Sequence, residues 1–354
     1  MSILFQPLQL GALRLPHRII MSPLTRCRAA AGRVPNRMNA EYYTQRASAA
    51  LIITEATSVD PMGVGYPDTP GIWSDEQVEG WRIVTREVHA AGGRIMLQLW
   101  HVGRVSDPSL IGGATPVAPS AIAAPGQVSL LRPHRPYVTP RALARDEIPA
   151  IVSAYKKGAE NALRAGFDGV ELHGANGYLL DQFLQSASNQ RTDAYGGSVR
   201  NRARLPLEVT DAVLSVWPAD RVGYHLAPRG NSHGMGDANP AETFGYLSEE
   251  LGKRKLAFLC VRESLSEPRL APALKKAFGG PLIANDGFTQ VTATAEIDAG
   301  NADAVAWGRL FISNPDLPRR MQTGAPLTAP HSATFYVLEG DRRRGYTDYP
   351  ALAS

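Results

Sequence analysis

Cysteine is almost absent from this chain. Cys27 and Cys260 are the only two in 354 residues, so neither a disulfide framework nor a four-cysteine zinc site can be built. A chain of this length buries enough apolar surface to fold without covalent staples, and reduced thiols fit a cytoplasmic protein. Long apolar runs are missing as well. No stretch of about 18 uninterrupted apolar residues occurs, which argues against a membrane-spanning helix. The opening MSILFQPLQL has neither the basic start nor the apolar run of a signal peptide. Neither sign of charge dominates, with 37 Lys and Arg against 33 Asp and Glu. The longest basic run, residues 342–344, reads as a solvated tail and not as a nucleic-acid surface. Scattered arginines suit an anionic small molecule better.

Several motifs are also lacking. There is no G-x-G-x-x-G after a strand, no Walker-type phosphate loop, no H-E-x-x-H and no G-x-S-x-G. No two of the 8 histidines stand at ligand spacing. A catalytic metal would have to be assembled from distant positions, and none is expected.

What is present is an alternation. Short, nearly continuous apolar runs recur at 18–22, 51–55, 94–99, 169–172, 222–226, 258–261, 282–285 and 304–307. Strands covered on both faces have this pattern. Helix-like stretches lie between them. Residues 151–165 carry apolar side chains at three and four spacing and stop at Gly166, and residues 75–91 stop at Gly92 and Gly93. Alternating strands and helices imply a parallel sheet, either closed as a (β/α)8 barrel or open and doubly wound, and periodicity does not separate the two. Two segments break the rhythm. Residues 102–145, rich in Pro and Gly, form a long loop after the third strand that is expected to be functional or to cover a site. Residues 327–354 are aromatic-rich and fit either a tail folded onto the barrel mouth or plain surface.

If the sheet closes, the reactive side chains stand just after the strands. Those positions hold Pro23, Leu24, Thr25 and Arg26; Gln98, Trp100 and His101; His173, Asn176 and Tyr178; His225, Pro228 and Arg229; Asn285, Asp286 and Gly287; and Gly308 and Arg309. The HGANGY turn at 173–178 is the most informative. A histidine and an asparagine three residues apart can aim two donors at one oxygen, polarising a carbonyl and stabilising an enolate. Tyr178 beside them can give a proton. A capping turn with a buried tyrosine is the plainer alternative. Small residues and an arginine at 285–287 and 308–309 suit a phosphate, or an ordinary loop.

These residues sit in segments that resemble the old yellow enzyme family of flavin-dependent oxidoreductases: LFQPLQLGALRLPHRIIMSPLTR at 4–26, EYYTQRASAALIITEAT at 41–57, LQLWHVGR at 97–104, FDGVELHGANGYLLDQFLQSASNQRTDAYGGSVRNR at 167–202, NADAVAWGRLFISNPDLPRR at 301–320 and TFYVLEGDRRRGYTDYP at 334–350. The resemblance implies an α/β fold, a (β/α)8 TIM barrel with an N-terminal hairpin, in one domain over residues 1–354. It implies FMN held non-covalently at the C-terminal face by Pro23, Leu24, Thr25, Ala56, Gln98, His225, Asp286, Gly287, Gly308 and Arg309, with NADPH or NADH as reductant. Hydride would pass to flavin N5 and then to the β-carbon of an activated alkene. The alkene's oxygen would rest on His173 and Asn176, Tyr178 would protonate the α-carbon, and Tyr66, Trp100 and Tyr336 would wall the pocket. A monomer or homodimer with no nucleic-acid or membrane partner is implied.

Three positions depart from the family pattern. His225 stands where relatives usually carry an arginine near flavin N1 and O2. A neutral imidazole there stabilises negative charge on the reduced ring less well. Asp286 stands where a small residue is usual, so its carboxylate must turn away from a phosphate. Trp307 replaces a smaller aromatic. The first two keep open an alternative in which FMN binding is weakened or lost, and the same pocket serves a non-redox isomerase or cyclase. A binding protein on an inactive barrel is a third reading, opposed by the intact donors and acid.

Overall fold

The computed structural model describes residues 2–353. A hairpin of β1 (Leu8–Leu10) and β2 (Leu13–Leu15) comes first. It turns at Gly11, where φ is 55° and any side chain would run into the Asp220 carbonyl. Next come β3 (Ile19–Met21), β4 (Ile52–Ile53) with its continuation β5 (Thr57–Ser58), and β6 (Ile95–Trp100). The segment after β6 contains a small parallel pair, β7 (Val117–Ala118) and β8 (Arg141–Ala142). The series ends with β9 (Gly169–Gly174), β10 (Val222–Leu226), β11 (Phe258–Arg262), β12 (Leu282–Asn285) and β13 (Ala304–Trp307). Every pairing among the barrel strands is parallel, and the ring closes through β13 on β3, β3 on β4 and β4 on β6. The open-sheet alternative is thereby excluded, and the fold is a (β/α)8 barrel with helices between its strands.

The helices start and stop on local signals. The helix Asp75–Ala90 opens on Ser74 in a capping box with Gln77. The helix expected over 151–165 runs Ile148–Arg164, one turn earlier at its start, because Pro149 fits the first turn. Gly166 follows it at φ 83°.

Side-chain alternation explains why the strand runs look continuously apolar. Val170, Leu172, Val222, Leu226, Leu259, Val261 and Leu282 face outward into the layer under the helices. Met96, Phe258, Cys260, Ile283, Ala304 and Ala306 fill the interior, with Leu10, Leu13 and Leu15 of the hairpin plugging its lower end. Toward the C-terminal ends the inward positions turn polar: Gln98, Glu171, His173 and His225 are buried there.

The long loop is better ordered than its composition suggests. Besides the β7–β8 pair, its Val102, Val105, Ala124, Val128 and Tyr137 pack with Ala56, Tyr66 and Trp100, and Tyr178 and Leu338 border the cluster. It therefore forms one wall of the barrel mouth. The C-terminal segment folds back as well. Tyr346 is fully buried with its ring stacked 4.1 Å from that of Tyr42, while Arg26 and Arg28 bond the carbonyls of Thr334, Phe335, Arg344 and Gly345. Among the described residues no helix is long and apolar enough to cross a membrane.

Candidate active site

At the C-terminal end of the barrel Pro23, Thr25, Ala56, Gln98, Trp100, His173, Asn176, Tyr178 and His225 line one cavity of about 100 Å³. All nine were singled out from sequence. A larger cleft of about 760 Å³ lies outside the barrel between residues 30–34 and the start of the helix Asp75–Ala90. It is lined by none of the sequence-predicted residues.

Strand register brings the site residues level. His225 on β10 pairs with His173 on β9, and Gln98 on β6 with Glu171 on β9. The His173 and His225 rings are 5.4 Å apart and nearly parallel. His173 Nδ1 accepts the Ala175 N–H, so in the neutral ring the proton sits on Nε2, as a donor. Burial, with the nearby His225 and Arg262, holds its pKa well below 6.5, which keeps the ring neutral. Asn176 sits at φ 58° on the turn after β9. Its Oδ1 accepts from Arg262 Nη1 at 2.9 Å, which leaves the amide N–H groups for a ligand. The Tyr178 hydroxyl lies 2.9 Å from that of Tyr66, and burial raises its pKa, so the phenol keeps its proton. Trp100 stands edge-on to Tyr178 at 5.0 Å and stacks on Tyr66 at 5.6 Å.

Deeper in the barrel Gln98 Nε2 lies 3.3 Å from Glu171 Oε1 and 3.2 Å from His225 Nδ1. Desolvation pushes Glu171 up to about 8 and His225 down to about 3. Both are therefore uncharged near neutral pH. Glu171, His225 and Cys260 bring one ligand-type atom each within 4.8 Å of one another. This is the only such trio among the described residues. Its thiol is held protonated by burial, which opposes metal ligation.

The remaining predicted residues form two outlying groups. Gly308 packs on Leu24, where an added Cβ would come within 3.0 Å of Leu24 Cδ2. Leu24 thus lies over the turn before Arg309, beside the cavity-lining Pro23 and Thr25. Asp286 (φ 94°) and Gly287 (φ 80°) form an open turn, and the Asp286 carboxylate lies 3.3 Å from Arg262 Nε. Arg309 is exposed. Tyr66 joins the wall through Tyr178, whereas Tyr336 is 43% exposed, a rim residue. His101 is withdrawn from the site: its Nδ1 accepts the Gly103 N–H, and burial lowers its pKa to about 4. Arg229 points to the Ser266 carbonyl.

Two neighbours of the site went unread in the sequence. Glu171 is two residues before His173 on one strand, and the two-residue period would have placed both inside. Arg262 ends β11, a strand end that carried no predicted site residue.

The comparisons with known proteins agree with this geometry. Residues 3–328 match the model of the NADH:flavin oxidoreductase / NADH oxidase family. The chain belongs to the old yellow enzyme family. It is 42% identical to a flavin oxidoreductase of Emericella nidulans, over 98% of this chain and 97% of that protein. It is 41% identical to 12-oxophytodienoate reductase 1 of Oryza sativa subsp. japonica, over 99% and 93%. Among solved structures it resembles the old yellow enzyme homologue of Zymomonas mobilis (46% identity, TM-score 0.95, 99% of each chain). It also resembles morphinone reductase in complex with tetrahydroNAD (49%, TM-score 0.94, 99% and 98%). The old yellow enzyme family is FMN-dependent, so this chain is an NAD(P)H-dependent flavin oxidoreductase, and the isomerase and binding-protein alternatives are not favoured.

The residues fit the flavin. His225 Nε2 and Trp100 Nε1 are buried at the cavity without a protein partner among the described residues. Gln98 and Thr25 offer an amide and a hydroxyl to the same space. A Cβ at Gly287 would meet nothing within 4 Å, so the backbone of that turn is open to a phosphate.

Proposed function

We propose that this old yellow enzyme family member is an ene-reductase acting on α,β-unsaturated carbonyl or nitro compounds, with NADPH or NADH as the source of hydride. Bound FMN would supply the hydride-transfer chemistry between the nicotinamide and the alkene's β-carbon. Thr25, Gln98 and His225 would hold its ring, Pro23, Leu24 and Ala56 would line it, and Gly287, Gly308 and Arg309 would hold its phosphate. The backbone of Asp286 belongs to that turn, while its carboxylate is engaged by Arg262.

His173 Nε2–H and the Asn176 amide N–H bind the carbonyl or nitro oxygen and stabilise the negative charge that develops there as the β-carbon accepts hydride. The Tyr178 phenol gives its proton to the α-carbon, completing addition of two hydrogens across the double bond. The Tyr66 hydroxyl, 2.9 Å away, then donates to the Tyr178 phenolate until solvent restores the proton. Trp100 and Tyr66 enclose the substrate's apolar body and Tyr336 closes the rim. We read residues 1–354 as one domain carrying all of these groups.

The observation that supports this reading best is the pair of donors on one turn, each oriented by a bond to protein, beside a phenol that retains its proton. The test is anaerobic NADPH oxidation by purified protein with cyclohexenone or maleimide, together with its visible spectrum. A yellow protein with equimolar FMN and steady, alkene-dependent turnover is expected. A protein that stays colourless after incubation with excess FMN would sink the proposal.

A further inference from the structure

The geometry points to Arg262 as the residue that sets the direction of the Asn176 amide, and to Asp286 as the residue that holds Arg262 in place. The inference rests on the reading of Asn176 as an oxygen-binding donor.

A carboxamide has an accepting edge and a donating edge, and a half-turn about its last bond exchanges them. If Asn176 offered its oxygen to a carbonyl or nitro oxygen, two acceptors would face each other and the site would repel its substrate. The HGANGY turn does not by itself prevent this. Arg262 does. A guanidinium carries five N–H donors and no acceptor, so the atom 2.9 Å from Arg262 Nη1 must be the Asn176 oxygen. The amide NH2 is then committed to the other edge, and it has no hydrogen-bond partner among the described residues.

Arg262 reaches Asn176 from two strands away. Strand β11 is two strands from β9, with Val261 beside Leu226 and Leu226 beside Gly174. The arginine therefore extends over the end of β10. A side chain of that length, 42% exposed, would sample many rotamers if it were held only at its tip. The Asp286 carboxylate lies 3.3 Å from the Nε edge as an ion pair, so the planar fork has an acidic neighbour on the side away from Asn176. The acidic residue at 286 thus has a partner other than phosphate. It ties the 285–287 turn to the donor pair, and the same arginine charge helps to keep His173 neutral.

The experiment is a double-mutant cycle on the FMN-loaded enzyme with NADPH and cyclohexenone. Asn176→Ala and Arg262→Leu are each expected to lower kcat/KM by about ten- to a hundredfold, the range for one hydrogen bond to a developing charge. The double variant should be no worse than Asn176→Ala alone, within about twofold, because Arg262 acts through Asn176. Asp286→Asn should cost a few-fold, and Arg262→Lys, which keeps one donor toward Oδ1, should retain more activity than Arg262→Leu. Affinity for para-nitrophenolate, whose anionic oxygen needs the same donors, should fall in parallel while FMN content stays at one per chain. Wild-type kcat/KM in Arg262→Leu, losses that multiply in the double variant, or an Arg262→Lys as impaired as Arg262→Leu would each overturn the role of Arg262 and leave that of Asn176 standing. Wild-type kcat/KM in Asn176→Ala would overturn both.

Discussion

The two ends of the barrel interior follow opposite rules. At the lower end Phe258, Ile283, Ala304 and Met96 pack in one apolar cluster with the hairpin leucines. Gly223 has no side chain because the Phe258 ring occupies that space. At the upper end buried polar atoms accumulate instead, and Trp100 Nε1, Glu171 Oε2 and His225 Nε2 have no protein partner among the described residues. An unpartnered buried polar atom costs about 1–3 kcal/mol. The lower end thus stabilises the fold, and the upper end spends part of that stability to hold groups ready for a ligand.

The comparison can be broken most easily from below. Phe258→Ala removes a buried ring from a close-packed layer and should cost about 3–5 kcal/mol of unfolding free energy, read by denaturant titration. A loss near zero would mean that the lower end is not the stabilising half. Above, His173→Ala should lower kcat/KM with cyclohexenone by about a hundred- to a thousandfold. The apoprotein's stability should hold or rise, since a desolvated donor is removed. A variant that unfolds instead would erase the distinction between the two ends.

The smallest effect concerns pH. Glu171 is raised from 4.5 to about 8 in the folded protein, so its contribution to stability is fully present below pH 4.5 and is lost as pH rises through 8. His225 is lowered from 6.5 to about 3, so its contribution is present above pH 6.5 and is lost as pH falls toward 3. Glu171→Gln should therefore flatten the alkaline side of the stability profile between pH 5 and 8 and leave the acid side unchanged. Equal profiles for the variant and the parent would show that Glu171 is solvated or charged, and the upper end less dry than described.

Much of the site was legible before any coordinates. Strand ends carry the chemistry of a barrel, and HGANGY at 173–178 combines two donors and an acid within six residues, so local order alone brings them together. Thr25, Gln98 and His225 could be read because each follows or ends an apolar run. A residue beside a cavity-lining one can face either way, so the sequence did not say that the Leu24 side chain would pack over Gly308. Arg262 escaped because its partners, Asn176 and Asp286, lie 86 residues before and 24 residues after it in sequence. Nothing along the chain marks such a triad.

The amino-acid order by itself determined the alternation of strands and helices, the caps that bound them, and the inventory of polar side chains and small turn residues at the strand ends, because these depend on neighbours within a turn or a strand. Closure of the sheet into a ring, the levels at which His173 meets His225 and Gln98 meets Glu171, and the edge of its amide that Asn176 offers were decided only by the tertiary structure. Each of these depends on register between strands far apart in sequence, and register is set by how the whole barrel packs.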